Sequence, residues 1–111
     1  MYLDEFISYV DKNSRAEEIF FERALAFQED KNERRQKSSR WSQSKMEKTC
    51  EKMWEETIKG TYNNVAANIK AVEKKPRFHN HDEEVDYWVE FLNENEFLES
   101  FTDGISDAEF E

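Results

Sequence analysis

The sequence predicts an all-α fold: a compact bundle of four to six short helices, with no sheet. Three observations carry this. Apolar residues recur at i, i+3, i+4 and i+7 along most of the chain, the spacing of a half-buried helix. Only two glycines and one proline occur in 111 residues, so most turn signals are missing. No run of four or more residues alternates convincingly at period two, as a half-buried strand would. The length suits one domain, read here as residues 1–102 with an acidic tail over 103–111. Leu, Ile, Val and Phe number 23, close to the level of about 20% at which a highly charged chain stays disordered. Sixteen aromatic rings (nine Phe, four Tyr, three Trp) tip the balance toward a folded domain, because each brings a large apolar area.

The elements follow in chain order. Leu3, Phe6, Ile7 and Val10 form the apolar stripe of a first short helix, ended by Asp11-Lys12-Asn13. Ser14 with Glu17 reads as a capping box. It opens a second helix with Ile19, Phe20, Phe21, Ala24, Leu25 and Phe27 inside, extending through a charged end to Lys37 and broken by Ser38-Ser39. Ser42 can cap a third helix, with Trp41 and Met46 as a hydrophobic staple; Ser44 with Glu47 is an alternative box. Met46, Cys50, Met53, Trp54 and Ile58 repeat at helical spacing, and Gly60 suits the position just past a helix end. Thr61 would then cap a fourth helix bearing Tyr62, Val65, Ala66, Ile69 and Val72. Lys74 and Lys75 suit its C-terminal dipole, and Pro76 stops it. Asn80 with Glu83 reads as another capping box, opening a helix with Val85, Trp88, Val89 and Leu92 inside. Asn93 to Asn95 interrupt it before Phe97, Leu98 and Phe101.

Charge excludes more than it names. The net charge is -10, from 26 acids and 16 bases. No apolar run approaches the roughly 18 residues of a membrane span, and the acidic start lacks the basic region of a secretory signal. These point to the cytoplasm, a host cell's if the chain is viral. One cysteine excludes an intramolecular disulfide framework, and with two histidines it cannot build a Cys/His zinc site. Gly60 and Gly104 lie too far apart for a phosphate-cradling loop. Cys50 falls on an apolar helix face and reads as a buried, inert thiol. His79-Asn80-His81-Asp82-Glu83-Glu84 has metal-ligand chemistry, but i and i+2 side chains do not share a helix face. It reads as a polar connector. No carboxylate pair stands out as acid and base, so no catalytic residue, metal or cofactor is expected.

The distribution of charge is the sharpest feature. Residues 1–79 hold 14 acids and 16 bases, whereas residues 80–111 hold 12 acids and no base. An opposite, smaller excess of +5 lies between Lys31 and Lys52. Within it, Arg34, Arg35, Lys37, Arg40 and Trp41 have the chemistry of a nucleic-acid contact, cations for phosphates and a ring for stacking. The overall acidity disfavours that reading, since an acidic domain repels phosphates.

The acidic region 80–102 carries the stronger functional claim. Asp82, Asp86, Glu90 and Glu94 fall at i, i+4, i+8 and i+12, one carboxylate row on a helix. As one helix, Asp82 to Phe101 would span ~30 Å and carry a negative charge every ~4 Å. A strand of duplex DNA carries one per about 3.4 Å. A surface shaped to grip phosphates could grip this helix instead. Simple solvation of the acids, or their docking onto residues 31–52, would leave no partner implied. The size, acidity and helicity resemble those of small viral DNA-mimic inhibitors of restriction or CRISPR systems. No family motif is matched, and no residue is carried over. The expectation is a non-enzymatic interaction protein presenting Asp82, Glu83, Asp86, Glu90, Glu94 and Glu99 to a basic, nucleic-acid-binding surface on a partner protein. Trp88, Val89 and Leu92 would back the row. Phe101 and Phe110, spaced among acids, add candidate anchors in the same surface. The first alternative is a helical adaptor docking through Phe101, Ile105 and Phe110. The second is direct nucleic-acid binding through residues 34–41. A homodimer stays open.

Overall fold

A computed structural model describes residues 1–72, 78–108 and 110. Five α-helices follow one another: α1 (Leu3–Asn13), α2 (Ala16–Glu33), α3 (Gln43–Val72), α4 (His81–Glu94) and α5 (Phe97–Asp107), with a 3₁₀ turn at Lys37–Ser39 before α3. The described residues contain no strand. The fold is all-α, as the periodicity predicts. No helix among them is long and apolar enough to cross a membrane.

α3 is the spine. At 1.5 Å per residue its 30 residues reach ~45 Å, and the molecule measures 59 × 23 × 22 Å. The radius of gyration, 17.2 Å, exceeds the roughly 13 Å usual for a globular chain near this length. A slender body must bury its apolar groups in one continuous seam. Met46, Cys50, Trp54, Ile58, Val65 and Ile69 are the buried stripe of α3. Phe6 and Val10 of α1, Phe20 and Ala24 of α2, Trp88 and Leu92 of α4 and Ile105 of α5 close on it. Ring contacts tie the helices together: Phe6 with Tyr62 at 5.6 Å, Phe20 with Trp54 at 5.3 Å, and Tyr62 stacked on Trp88 at 5.4 Å.

Several boundaries differ from the sequence expectation, each for a local reason. The expected break at Gly60 is absent, and α3 runs through it. Gly60 does not adopt positive φ, and Thr61 donates its hydroxyl to the Thr57 carbonyl instead of capping a new helix. A mid-helix glycine costs only about 1 kcal/mol, less than the seam from Ile58 to Val65 returns. Ser14 forms no capping box with Glu17; its hydroxyl donates to the Val10 carbonyl and accepts from the Ala16 N–H, so it joins α1 to α2. α2 ends at Glu33, four residues earlier than expected, because Asn32 turns back to the Trp41 backbone. Ser42 caps α3, accepting from the Lys45 N–H at 3.2 Å, and Ser44 lies inside the helix. The break after α4 falls at Asn95 and Glu96, two residues later than the expected start at Asn93, with Glu96 in the left-handed region at φ 51°. α5 then continues past the expected boundary at 102 to Asp107, and Ile105 is buried. Lys74, Lys75 and Pro76, expected at a helix end, lie outside the described residues.

One buried polar group interrupts the seam. Gln28 is buried and donates Nε2 to Met53 Sδ at 3.7 Å, while its Oε1 has no partner among the described residues.

Candidate functional site

α4 holds the acidic row, and its sequence explains why it is helical despite the like charges. Asn80 Oδ1 accepts from the Glu83 N–H at 2.9 Å. Glu83 reaches back to the His79 N–H at 2.8 Å, one residue before the expected reciprocal partner. Asp82, Glu83 and Glu84 occupy the first turn, where the helix dipole favours anions. Trp88 and Leu92 are buried, and Val89 packs half-buried against the core.

α1 clamps α4 at both ends. The Met1 ammonium pairs with Glu84. His81 Nε2 meets Glu5 Oε1 at 2.7 Å, and the Tyr2 ring stacks on the imidazole at 4.2 Å. Farther along, the Tyr9 hydroxyl donates to Asn93 Oδ1 at 3.0 Å. The Tyr2 backbone N–H, followed by His81, holds the Glu5 carboxyl below its ordinary value. Both imidazole-bearing positions of the 79–84 segment thus serve this clamp and the α4 cap. Among the described residues no three His, Cys, Asp or Glu side chains gather to hold a metal ion.

Asp82, Glu83, Asp86, Glu90 and Glu94 are all exposed. At 100° per residue they fan across a sector of about 120°, centred opposite Trp88 and Leu92. They span ~18 Å, about one charge per 4 Å. None of the five has an ion pair among the described residues. The row is shorter than the 30 Å helix expected from sequence, because the left-handed Glu96 redirects the chain. Glu99 is exposed but belongs to α5, beyond that turn. No ion pair joins the acids to residues 31–52 among the described residues. Trp88 meets α3 at Tyr62, ~15 Å along the helix from Lys52.

The two tail aromatics turn inward. Phe101 stacks on Phe97 at 5.4 Å and meets Trp54 at 6.1 Å. Phe110 packs against Phe20 at 5.4 Å and Phe27 at 6.1 Å, while Arg23 donates to the Ala108 carbonyl at 2.7 Å. Both rings are committed to internal contacts.

The 34–41 segment is likewise occupied with itself. The Arg35 guanidinium lies 4.1 Å and the Lys45 ammonium 4.4 Å from the Trp41 ring centre. Arg34 pairs with Asp30 at 3.0 Å, and Arg40 donates to the Glu33 and Arg35 carbonyls. Lys37 is exposed. A ring covered by two cations is not presented for stacking on a base. Cys50 is fully buried, and burial, then Glu47 and Glu29, push its thiol up, away from nucleophilic use.

The sequence reading missed one feature, a groove of about 530 Å³ where α1 ends and α2 begins, floored by Phe21 and Leu25 and rimmed by acids. In sequence Asp11 reads as part of a helix end and Glu17 as half of a capping box, and only the packing of α1 on α2 gathers them.

No protein-family model, curated protein or solved structure matches this chain.

Proposed function

We propose that the chain is a non-enzymatic interaction protein. It offers the outward face of α4 to the basic, nucleic-acid-binding surface of a partner protein and blocks that surface as a nucleic-acid mimic. The observation that carries this reading is the row Asp82, Glu83, Asp86, Glu90 and Glu94, exposed together and without an internal cation among the described residues. A carboxylate row meant only for solubility needs no rigid mount. This one is capped by Asn80, clamped to α1 through Glu84, His81 and Asn93, and backed by Trp88 and Leu92. Rigid presentation lowers the entropy lost on binding, and the charge spacing approaches that of a phosphate strand. The inward packing of Phe101, Ile105 and Phe110 weighs against the tail-docking adaptor. The covered Trp41 weighs against direct nucleic-acid binding. The reading places the protein in a cytoplasm, and an inhibitor of viral origin would meet restriction or CRISPR proteins there.

The test is capture from nuclease-treated lysate on the immobilised chain, at low and high salt, with mass spectrometry and displacement by duplex DNA. Captured proteins are expected to handle nucleic acids, to release steeply as salt rises, and to be displaced by DNA. Glu90→Lys with Glu94→Lys should lose them while keeping the wild-type circular dichroism. Retention of the same partners by that variant sinks the proposal, as does a partner set without nucleic-acid-handling proteins.

A further inference from the structure

The groove at the α1–α2 junction has no role in the α4 reading, and none of its lining residues belongs to α4. Its floor is Phe21 and Leu25, one turn apart on α2 and both half-buried. Its rim is anionic. Asp11 from the end of α1 and Glu17 from the start of α2 line it together. Burial, then its neighbour Asp11, holds Glu17 above its ordinary value. Glu22 stands on the same rim. The cation nearby, Arg15, is engaged by Glu18 at 3.0 Å. No ion pair reaches Asp11, Glu17 or Glu22 among the described residues.

An apolar floor beside Asp11 and Glu17, which have no ion pair among the described residues, selects one kind of occupant. A purely aliphatic side chain would cover the floor and bury part of the acidic rim without a partner, which is unfavourable. A small hydrated cation would leave the floor wet. Lysine and arginine satisfy both demands, laying an aliphatic stem on apolar surface and extending a charged head to its edge. An ammonium or guanidinium beside Asp11 and Glu17 would give both carboxylates a partner, and a neighbouring aliphatic residue would fill the remaining floor. We propose that this groove is a second docking site, taking a short segment of a partner protein in which lysine or arginine stands next to aliphatic residues.

The test uses the full chain, isotope-labelled, titrated with a short synthetic peptide that alternates leucine with lysine and read by amide chemical shifts. Signals from Asp11 to Leu25 should move and saturate. A peptide of glycine and lysine with the same charge should bind about tenfold more weakly, having no apolar contact to make. Asp11→Asn with Glu17→Gln should weaken the leucine–lysine peptide about tenfold. Leu25→Gln should abolish the preference for leucine over glycine. Since these positions are half-buried or exposed, circular dichroism checks that each variant folds, and Glu22→Gln provides a second rim variant should the double change unfold the chain. The proposal is overturned if the shifts centre on α4, if they spread evenly over the acidic surface, or if both peptides bind alike.

Discussion

The two charged ends of this molecule use similar chemistry in opposite ways. The hairpin tip between α2 and α3 is rich in cations, and most of those around Trp41 have a partner within the chain although they are largely exposed: Arg35 and Lys45 its ring, Arg40 backbone carbonyls, Arg34 the Asp30 carboxylate. α4 is rich in carboxylates. Glu84 serves the clamp to α1, while Asp82, Glu83, Asp86, Glu90 and Glu94 stand in solvent. At the tip, charge closes a loop. On α4, charge is held outward by a scaffold that does not neutralise it. The difference separates charge with a contact inside the chain from charge without an ion pair among the described residues, and composition alone could not separate them.

The sharpest way to break this contrast is to remove each region's tryptophan. Trp88 is buried and stacked on Tyr62, so Trp88→Ala should cost about 3–5 kcal/mol, a large part of the 5–15 kcal/mol typical of a whole domain. Urea denaturation should show the loss, with the far-UV helical signal already reduced in water. Trp41 is half-buried, and its ring contacts are two cation–π pairs worth about 0.5–1 kcal/mol each at exposed sites. Trp41→Ala should therefore cost only about 1–2 kcal/mol. Its effect should appear as faster amide exchange over residues 34–42, with α4 unchanged. Equal losses at the two sites would end the distinction between scaffold and loop closure.

The root of the tip hairpin offers a change of opposite sign. Gln28 buries an oxygen that has no partner among the described residues, and such a group costs about 1–3 kcal/mol. Gln28→Met keeps the volume and drops the polar atoms. It should stabilise the chain by about 1 kcal/mol, or roughly 4–8 °C in Tm. An unchanged or lower Tm would mean that a bound water already satisfies the oxygen.

Function and stability should move in opposite directions on α4. Asp86, Glu90 and Glu94 are spaced four residues apart, and each such like-charge pair destabilises a helix by about 0.2–0.5 kcal/mol. Glu90→Lys turns two repulsions into two attractions and should raise stability by about 1 kcal/mol, while weakening capture of a basic partner. Salt should raise the wild-type Tm more than that of the variant. A variant that is both less stable and a poorer binder would mean that Glu90 has a structural role.

Much of this was legible in the sequence, but not evenly. The Asn80 cap, the inward faces of α1 and α4 and the outward carboxylate row follow from spacing, because each depends on one helix. Gly60 misleads because a glycine signals a helix end only where the chain needs positive φ, and the apolar stripe simply continues in phase from Ile58 to Val65. Glu99, Phe101 and Phe110 are misplaced for another reason. Their positions depend on a left-handed turn at Glu96, a residue with no preference for it. The Asp11–Glu17 pair belongs to neither helix alone and could not be read from either.

That pair gives the subtlest test, since it asks whether an acidic site other than α4 carries a measurable electrostatic cost. Glu17 is held above its ordinary value of 4.5, by burial first and Asp11 second. Over the pH range between its unfolded and folded values, the folded state binds more protons than the unfolded state. Stability from this group is complete below the unfolded value and falls as pH rises through the folded one. Glu5 acts in the opposite sense. Its lowered value adds stability above the ordinary carboxylate range that is lost as pH falls. The wild-type profile mixes the two. Glu17→Gln isolates one of them. Relative to wild type, the variant should gain stability at neutral pH and show a shallower decline as pH rises from the carboxylate range. Parallel urea midpoints for the two proteins across that range would mean that the α1–α2 rim is as well solvated as the face of α4.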